Sequence, residues 1–318
     1  MVSDSSLRIG GVIPPLVTPI EATGEIDVRS LERLIAFQLD AGVDGIFLGG
    51  STGEVALLDS AQLRTLTEVA AGTVAGAVPV LVGAVDTGTR RVVEHARLAA
   101  SAGADAVVVT APFYIRPNAA EVVEHYRRVA GAIDVPVVAY DIPSAVGIHL
   151  TPDIVAELAA DKLVIALKDS SGDLADFRET LRRTGGTLPT LTGSELLADT
   201  SLELGAAGIV PGLGNVDPHG YVRLHRAALA GDRAAARAEQ DRLARLFRIV
   251  TVADPARIGF TAGALGAFKA ALALRGLITC PATNPPLLPL DENETRTIRE
   301  MLEEAGLGSV GRGGSAVS

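Results

Sequence analysis

Cysteine, lysine and the aromatic residues are scarce in this chain of 318 residues. The single cysteine, Cys280, cannot form a disulfide within the chain, which excludes a disulfide-stapled scaffold. The 28 basic and 38 acidic residues leave a net charge of −10, which argues against a nucleic-acid-binding protein. No window offers the ~18 unbroken apolar residues of a membrane span, and residues 1–9 lack the pattern of a secretory signal. We therefore expect a cytoplasmic protein without nucleic-acid or membrane partners.

The shortage of lysine is the most useful of these features. The chain contains only Lys162, Lys168 and Lys269, and its other basic residues are arginines. Any reaction that requires a lysine amine must therefore use one of these three side chains.

Eight short apolar runs alternate with helical stretches along the first two thirds of the chain. The runs are continuous rather than alternating, which is typical of parallel strands covered on both faces. They occupy residues 11–17, 45–48, 79–82, 106–109, 136–140, 163–167, 190–192 and 208–210, with helices predicted over 29–40, 60–71, 89–102, 119–132, 152–160, 174–183 and 195–204. This order predicts an α/β fold of the (β/α)₈ TIM-barrel type. A doubly wound sheet is the alternative, but no G-x-G-x-x-G motif follows the first strand.

Further helices are predicted after the eighth strand, over residues 218–230, 233–250, 257–275 and 293–304. The first of them could close the barrel. We therefore expect a (β/α)₈ barrel over residues 1–230 and a C-terminal helical region over residues 231–308. The Gly- and Ser-rich residues 309–318 are expected to form a disordered tail.

The three lysines differ in their predicted positions. Because function in such a barrel lies at the carboxyl ends of the strands, Lys168 at the end of the sixth strand is the candidate for chemistry. Desolvation there would favour the neutral amine, which attacks carbonyl groups. A structural ion pair with Asp169 or a neighbouring carboxylate is an equally good interpretation from sequence alone. Lys162 is expected at the surface, and Lys269 lies in a helix beyond the barrel.

Other strand ends also carry polar groups. The run Gly-Gly-Ser-Thr-Gly-Glu at residues 49–54 could present backbone N–H groups and hydroxyls to a carboxylate or phosphate, although a tight turn capping the next helix is the simpler interpretation. Tyr114 and Tyr140 follow the fourth and fifth strands and could relay protons, or they could be ordinary core aromatics. No metal-ligand pattern and no Ser-His-acid arrangement is apparent, so we expect neither a metal nor a cofactor.

Three motifs taken together resemble one family. GGSTGE at the second strand, YDIPSAVG at the fifth and ALKDSSGD at the sixth are similar to those of the dihydrodipicolinate synthase / N-acetylneuraminate lyase family, over nearly the whole chain. The resemblance implies that Lys168 forms a Schiff base with a 2-oxo acid such as pyruvate, with Tyr140 as a proton relay. It also implies that Ser51 and Thr52 bind the carboxylate of the 2-oxo acid.

The resemblance extends to further positions. It implies that Tyr114 reaches the active site of a neighbouring subunit in a homotetramer. It places the Val210 carbonyl at the site, and it places Ser170, Gly193 and Glu195 near the distal part of the substrate. Two positions depart from the family's subgroups. Ala145 stands where dihydrodipicolinate synthases typically carry an arginine, and Gly212 stands where the lyases often have a serine.

These observations predict a class I aldolase that produces or consumes pyruvate and an aldehyde. The predicted substrate is a 2-oxo-3-deoxy sugar acid or another 4-hydroxy-2-oxo acid. A dehydratase that uses the same imine, and dihydrodipicolinate synthase itself, are the alternatives. A barrel that binds pyruvate without turnover and a metal-dependent aldolase are alternatives of other classes.

Overall fold

The protein, a computed structural model, is described over residues 7–310. In this part of the chain, eight strands form one parallel sheet in the order β1-β8-β7-β6-β5-β4-β3-β2. The strands are β1 (Gly11–Val12), β2 (Ile46–Leu48), β3 (Val80–Gly83), β4 (Ala106–Thr110), β5 (Val137–Asp141), β6 (Ala166–Asp169), β7 (Thr190–Thr192) and β8 (Gly208–Ile209).

The sheet closes on itself just beyond β1. The Leu16 N–H donates to the Phe47 carbonyl at 2.7 Å, and the Phe47 N–H donates to the Pro14 carbonyl at 3.1 Å. These bonds join the first strand segment to β2 and leave no open edge there. The predicted (β/α)₈ barrel is confirmed.

Helices surround the barrel and continue beyond it. They are α1 (Val28–Ala41), α2 (Ser60–Val74), α3 (Thr89–Ser101), α4 (Ala119–Ala130), α5 (Pro143–Val146), α6 (Pro152–Ala160), α7 (Leu174–Thr184), α8 (Ala198–Leu204), α9 (Pro218–Leu229), α10 (Arg233–Phe247), α11 (Phe260–Leu274) and α12 (Glu292–Glu304). Helices α10 to α12 form the predicted C-terminal helical extension. None of the helices in residues 7–310 is long and apolar enough to cross a membrane.

Several elements differ from the sequence prediction: β6 begins at Ala166 rather than residue 163, and the short helix α5 was not predicted. The first strand was expected over residues 11–17 but ends at Val12, because Pro14 and Pro15 have no N–H to donate to a neighbouring strand. The helix expected over residues 195–204 begins as a 3₁₀ turn, Glu195–Leu197, before α8. The helix expected from residue 257 begins at Phe260, after a turn in which the Asp254 carboxylate accepts the Ala256 N–H at 2.9 Å.

Two apolar clusters form the core. The larger packs the helices against the outside of the barrel, and the smaller fills its interior with side chains such as Phe47, Val108 and Val138. At the carboxyl end of the barrel, Thr110 pairs in register with Tyr140, and Tyr140 pairs with Lys168. Residues in register on adjacent parallel strands share a face of the sheet. The fold therefore places Tyr140 and Lys168 side by side at the top of the interior.

The C-terminal end of the described chain is anchored to the helices. The Val310 N–H donates to the Arg275 carbonyl at 2.9 Å. Residues 311–318 of the tail expected to be disordered lie outside the described residues.

Candidate active site

Lys168 occupies the end of β6 with only 6% of its surface exposed. Its Nζ lies 3.5 Å from the centroid of the Tyr140 ring and 5.4 Å from that of Phe47. Asp169 follows in the strand and faces the opposite way, and its carboxylate accepts 2.7 Å hydrogen bonds from the backbone and hydroxyl of Ser171. The Asp169 carboxylate is thus occupied away from Lys168. This arrangement favours the chemical interpretation of Lys168 over an ion pair with Asp169.

Tyr140 connects the lysine to the loop that follows β2. The tyrosine is 3% exposed, and its ring meets that of Phe47 edge-on, with 6.4 Å between the centroids. Its Oη lies 3.5 Å from the Ser51 Oγ, and Ser51 and Thr52 line the same cavity as Lys168. A phenol between an amine and an exposed hydroxyl can carry protons between the lysine and the cavity.

The loop of residues 49–54 is not a simple helix cap. Asp59 is the N-cap residue of α2 and forms a capping box with Gln62, so the loop does not cap α2. The last residue of the loop, Glu54, instead precedes a 3₁₀ turn, Val55–Leu57. Gly53 is required for close packing, because a Cβ there would come within 2.9 Å of the Gly49 nitrogen. The Thr18 hydroxyl also donates to the Gly53 carbonyl at 2.7 Å. The loop is therefore held tightly against the barrel, which fixes Ser51 and Thr52 at its mouth.

Glu54 ends this loop and is held by the C-terminal region. It adopts a left-handed conformation with φ of 62°, and its carboxylate forms an ion pair with Lys269 of α11. The side chains of both partners are 0% exposed. Asn284 donates to Glu54 Oε2 from its backbone at 2.7 Å and from its side chain at 3.0 Å, and Lys269 donates to the Ala282 carbonyl at 2.7 Å. Burial lowers the pKa of Lys269 although Glu54 opposes that effect.

Glu195 is the acidic residue of the cavity. Its Oε1 accepts the Leu213 N–H at 2.6 Å and the Tyr221 hydroxyl at 3.2 Å. Burial raises the pKa of Glu195 to about 7, although these hydrogen bonds and the charge of Lys168 oppose the shift. The carboxyl group is therefore able to exchange a proton near neutral pH.

Ser170, Gly193 and Val210 line the cavity beside Glu195. Gly193 permits this packing, because a Cβ at that position would lie 2.0 Å from the Ser170 Oγ. Eight of the nine predicted site residues thus surround one cavity of about 550 Å³ at the carboxyl end of the barrel. Tyr114 is the ninth and does not line it. Its side chain is 95% exposed and its φ is 69°, so its role in a neighbouring subunit remains a prediction.

Sequence reasoning missed the wall of the cavity opposite the strands. This wall comes from the C-terminal helical region and consists of Phe247, Val250, Phe260, Thr261, Ala264, Leu265 and Phe268. The sequence did carry a signal, since three of its seven phenylalanines fall between residues 247 and 268. In α11, the spacing of Phe260, Ala264 and Phe268 places them on one helical face.

A larger cavity of about 1020 Å³ lies at the opposite end of the barrel, where Arg8, Asp44 and Lys162 contribute to its lining. It contains none of the predicted site residues. In barrels of this type, active sites occupy the carboxyl ends of the strands. We therefore assign the candidate active site to the smaller cavity despite its volume.

Two histidines occupy places that the sequence did not indicate. His149 bridges Asp141 and Asp176 with contacts of 2.7 and 2.9 Å on the outer side of β5. Partial burial opposes its charge, but these two carboxylates raise the pKa of His149. His125 of α4 is 2% exposed beside Thr89, and burial lowers its pKa to about 4. Residues 7–310 contain no cluster of three His, Cys, Asp or Glu side chains that could hold a metal ion.

Comparisons with known proteins agree with this architecture. A sequence model of the Dihydrodipicolinate synthetase family matches residues 8–305. An uncharacterized DapA-like lyase of Halobacterium salinarum is 37% identical over 305 residues, which cover 96% of this chain and 97% of that protein. A 4-hydroxy-tetrahydrodipicolinate synthase of Thioalkalivibrio sulfidiphilus is 34% identical over 298 residues, with 93% and 98% covered.

Known structures show the same similarity. One of them is YagE, a prophage protein of the dihydrodipicolinic acid synthase family from E. coli K12, in complex with pyruvate. It superposes with a TM-score of 0.87 at 30% identity, covering 94% of this chain and 99% of that chain.

Proposed function

Because the chain belongs to the dihydrodipicolinate synthetase family of lyases and aldolases, we propose that it is a class I aldolase that forms a Schiff base between Lys168 and a 2-oxo acid. One observation carries the proposal: the buried Lys168 amine faces the Tyr140 ring, in a cavity that also presents the Ser51 and Thr52 hydroxyls. The pyruvate complex of the related prophage protein supports a 2-oxo acid as the ligand.

The first step forms the imine. The neutral Lys168 amine attacks C2 of the 2-oxo acid, the C2 oxygen leaves as water, and a protonated imine remains. Tyr140 supplies and recovers the protons of this step through Ser51, and Ser51 and Thr52 bind the carboxylate of the substrate. In this proposal the carbonyl of Val210, the residue after β8, faces the reacting atoms.

The second step breaks the C3–C4 bond. A base in the cavity accepts the proton of the C4 hydroxyl, the bond electrons move into a C2–C3 double bond, and the iminium nitrogen becomes neutral. The aldehyde is released and the enamine takes up a proton at C3. Water then hydrolyses the imine, which yields pyruvate and free Lys168. Ser170, Gly193 and Glu195 contact the distal part of the substrate in this proposal.

The family resemblance also supports a proposal about the oligomeric state of the enzyme. We propose a homotetramer in which Tyr114 completes the proton path in a neighbouring subunit, consistent with its exposed ring. The barrel and the helical region, residues 1–230 and 231–308, would then act as one catalytic unit. The single cysteine supports a reducing, cytoplasmic location.

Dihydrodipicolinate synthase is a second candidate, supported by the names of relatives that are 31–34% identical. By the family resemblance, the second substrate of such a synthase carries its own carboxylate. Ala145 lines the cavity where a synthase would typically place an arginine. Lys168 is the only basic residue among the described residues that line this cavity. We therefore rank this activity, and a dehydratase that uses the same imine, below the aldolase.

Borohydride reduction in the presence of pyruvate tests the proposal. We expect one reduced pyruvyl group per chain, located on Lys168 by peptide mass mapping. Lys168→Arg should abolish trapping, whereas the matched control Lys162→Arg should trap normally because residue 162 is exposed and distant from the site. Modification of another lysine, or no modification of folded protein, would contradict the proposal.

A further inference from the structure

The cavity that holds Lys168 has two chemically different walls. The barrel wall carries its reactive and hydrogen-bonding groups, which include Lys168, Tyr140 and Glu195. The wall that faces it carries the phenyl rings of Phe247, Phe260 and Phe268 together with aliphatic side chains, and its one hydroxyl belongs to Thr261. A substrate that lies across this cavity would place its reacting atoms on the barrel and its distal substituent on the rings.

The phenylalanine wall lies close to the reacting groups. A Cβ at Gly212, in the turn after β8, would meet the Phe268 ring at 3.2 Å and the Glu195 carboxylate at 3.3 Å. The Phe268 ring therefore lies beside the end of the barrel, one small residue away from the acidic group. Phe268 is itself 4% exposed, so it forms a fixed surface.

Apolar side chains also remain exposed at the entrance. Phe260 is 72% exposed and Leu196 is 54% exposed, and both line the cavity. Large apolar groups that face water around a concave site are typical of surfaces that bind apolar ligands. In a chain with only 3% aromatic residues, the placement of three phenylalanines around one cavity is not explained by the composition.

The charged residues of the cavity also favour a substrate whose distal part is uncharged. Among its described lining residues, only Lys168 and Glu195 carry charged groups. Lys168 is used by the imine, which leaves no cation for a second acidic group of the substrate. The Glu195 carboxylate would repel such a group when it is ionised.

We infer that the aldehyde half of the substrate carries an uncharged aryl or branched alkyl substituent. This inference rests on the proposed function. The substrate would be a 4-hydroxy-2-oxo acid whose C4 bears this apolar group, rather than a polyhydroxylated sugar acid. The cavity of about 550 Å³ has room for such a group, since an apolar cavity of about 150 Å³ accommodates benzene.

The test measures pyruvate-dependent condensation with aldehydes of similar size. We would compare 3-methylbutanal and benzaldehyde with glyceraldehyde and with the anionic succinic semialdehyde. The expected kcat/KM is at least about tenfold higher for the two apolar aldehydes, which is the discrimination that a small apolar group gains in an apolar pocket.

A pair of variants separates the binding effect from the intrinsic reactivity of the aldehydes. Phe260→Ser should lower the ratio of kcat/KM for 3-methylbutanal over glyceraldehyde by about threefold or more, because it removes part of the apolar wall. Leu229→Ser is the matched control, since Leu229 is 75% exposed and lies outside the cavity. Size-exclusion chromatography of both variants would show whether Phe260 instead serves assembly.

The outcomes distinguish this inference from the function on which it rests. Failure to trap pyruvate at Lys168 would remove the proposed function. Normal trapping, together with faster turnover of glyceraldehyde or succinic semialdehyde or with no turnover of any aldehyde, would overturn only the inference. An unchanged ratio in Phe260→Ser, or a change of its assembly state alone, would also overturn it.

Discussion

Substitution of Lys269 by methionine offers a direct test of how the C-terminal helices hold the active-site loop. Methionine keeps most of the volume of the lysine side chain and removes its charge. Lys269 and Glu54 are both 0% exposed, so the substitution would leave the Glu54 carboxylate buried without its cation. Removal of one partner from a buried ion pair typically costs about 3–5 kcal/mol.

The contacts of Glu54 indicate where in this range of free energies the cost of Lys269→Met should lie. Asn284 would still donate two hydrogen bonds to Glu54 Oε2, so we expect a loss near the lower limit, about 3 kcal/mol. Unfolding entropy of ~2.1 cal/mol/K per residue corresponds to roughly 0.7 kcal/mol/K for a chain of this length. The midpoint of thermal unfolding should therefore fall by about 4 °C, as measured by circular dichroism or calorimetry.

Two further variants control this experiment. Lys162→Met changes an exposed lysine and should alter the midpoint by less than about 1 °C. Addition of Glu54→Gln to the Lys269→Met protein should recover part of the lost stability, because the double variant no longer buries the unpaired Glu54 carboxylate. A Lys269→Met protein as stable as the unmodified chain would refute the idea that this ion pair anchors the loop.

Other predictions concern the remaining polar groups of the site. Tyr140→Phe should reduce turnover by about 10²-fold or more and slow imine formation, measured by borohydride trapping, by a smaller factor, because turnover also needs the later proton transfers; equal losses would contradict a relay role. Because burial raises the pKa of Glu195 to about 7, the profile of kcat/KM against pH should bend near that value and lose the bend in Glu195→Gln. His149 has its pKa raised by Asp176 and Asp141 despite partial burial, so its contribution to stability is complete below its ordinary pKa of about 6.5 and is lost as the pH rises through the folded-state pKa. His149→Gln should therefore destabilise the protein more at pH ~6 than at pH ~9 in urea denaturation, and an equal effect at both values would exclude this linkage.

Local patterns were sufficient to predict the barrel. Continuous apolar runs between amphipathic stretches indicate covered parallel strands, and each of the eight runs overlaps a strand. The prediction was least accurate where proline or loop geometry intervenes, as at Pro14 and Pro15. The same reasoning made Lys168 the candidate for chemistry, because it ends an apolar strand and active sites lie at the carboxyl ends of barrel strands. It left a structural ion pair as an equal alternative.

The tertiary structure decided what surrounds that lysine. Adjacent strands in register bring Tyr140 to Lys168, and this neighbourhood could be anticipated once the barrel was predicted. The contacts of Glu54 could not be predicted from the sequence. Its partner Asn284 lies 230 residues away, and no local pattern links the two residues.

The wall formed by Phe247, Phe260 and Phe268 is a second feature that could not be predicted from the sequence. The sequence determined that the chain forms a barrel with one lysine at its reactive end. It could not show that α11 folds back over that end, because a helical period reveals which face is apolar and does not reveal what the face contacts. Only the packing of α11 over the barrel makes Phe260 and Phe268 part of the lining of the candidate active site.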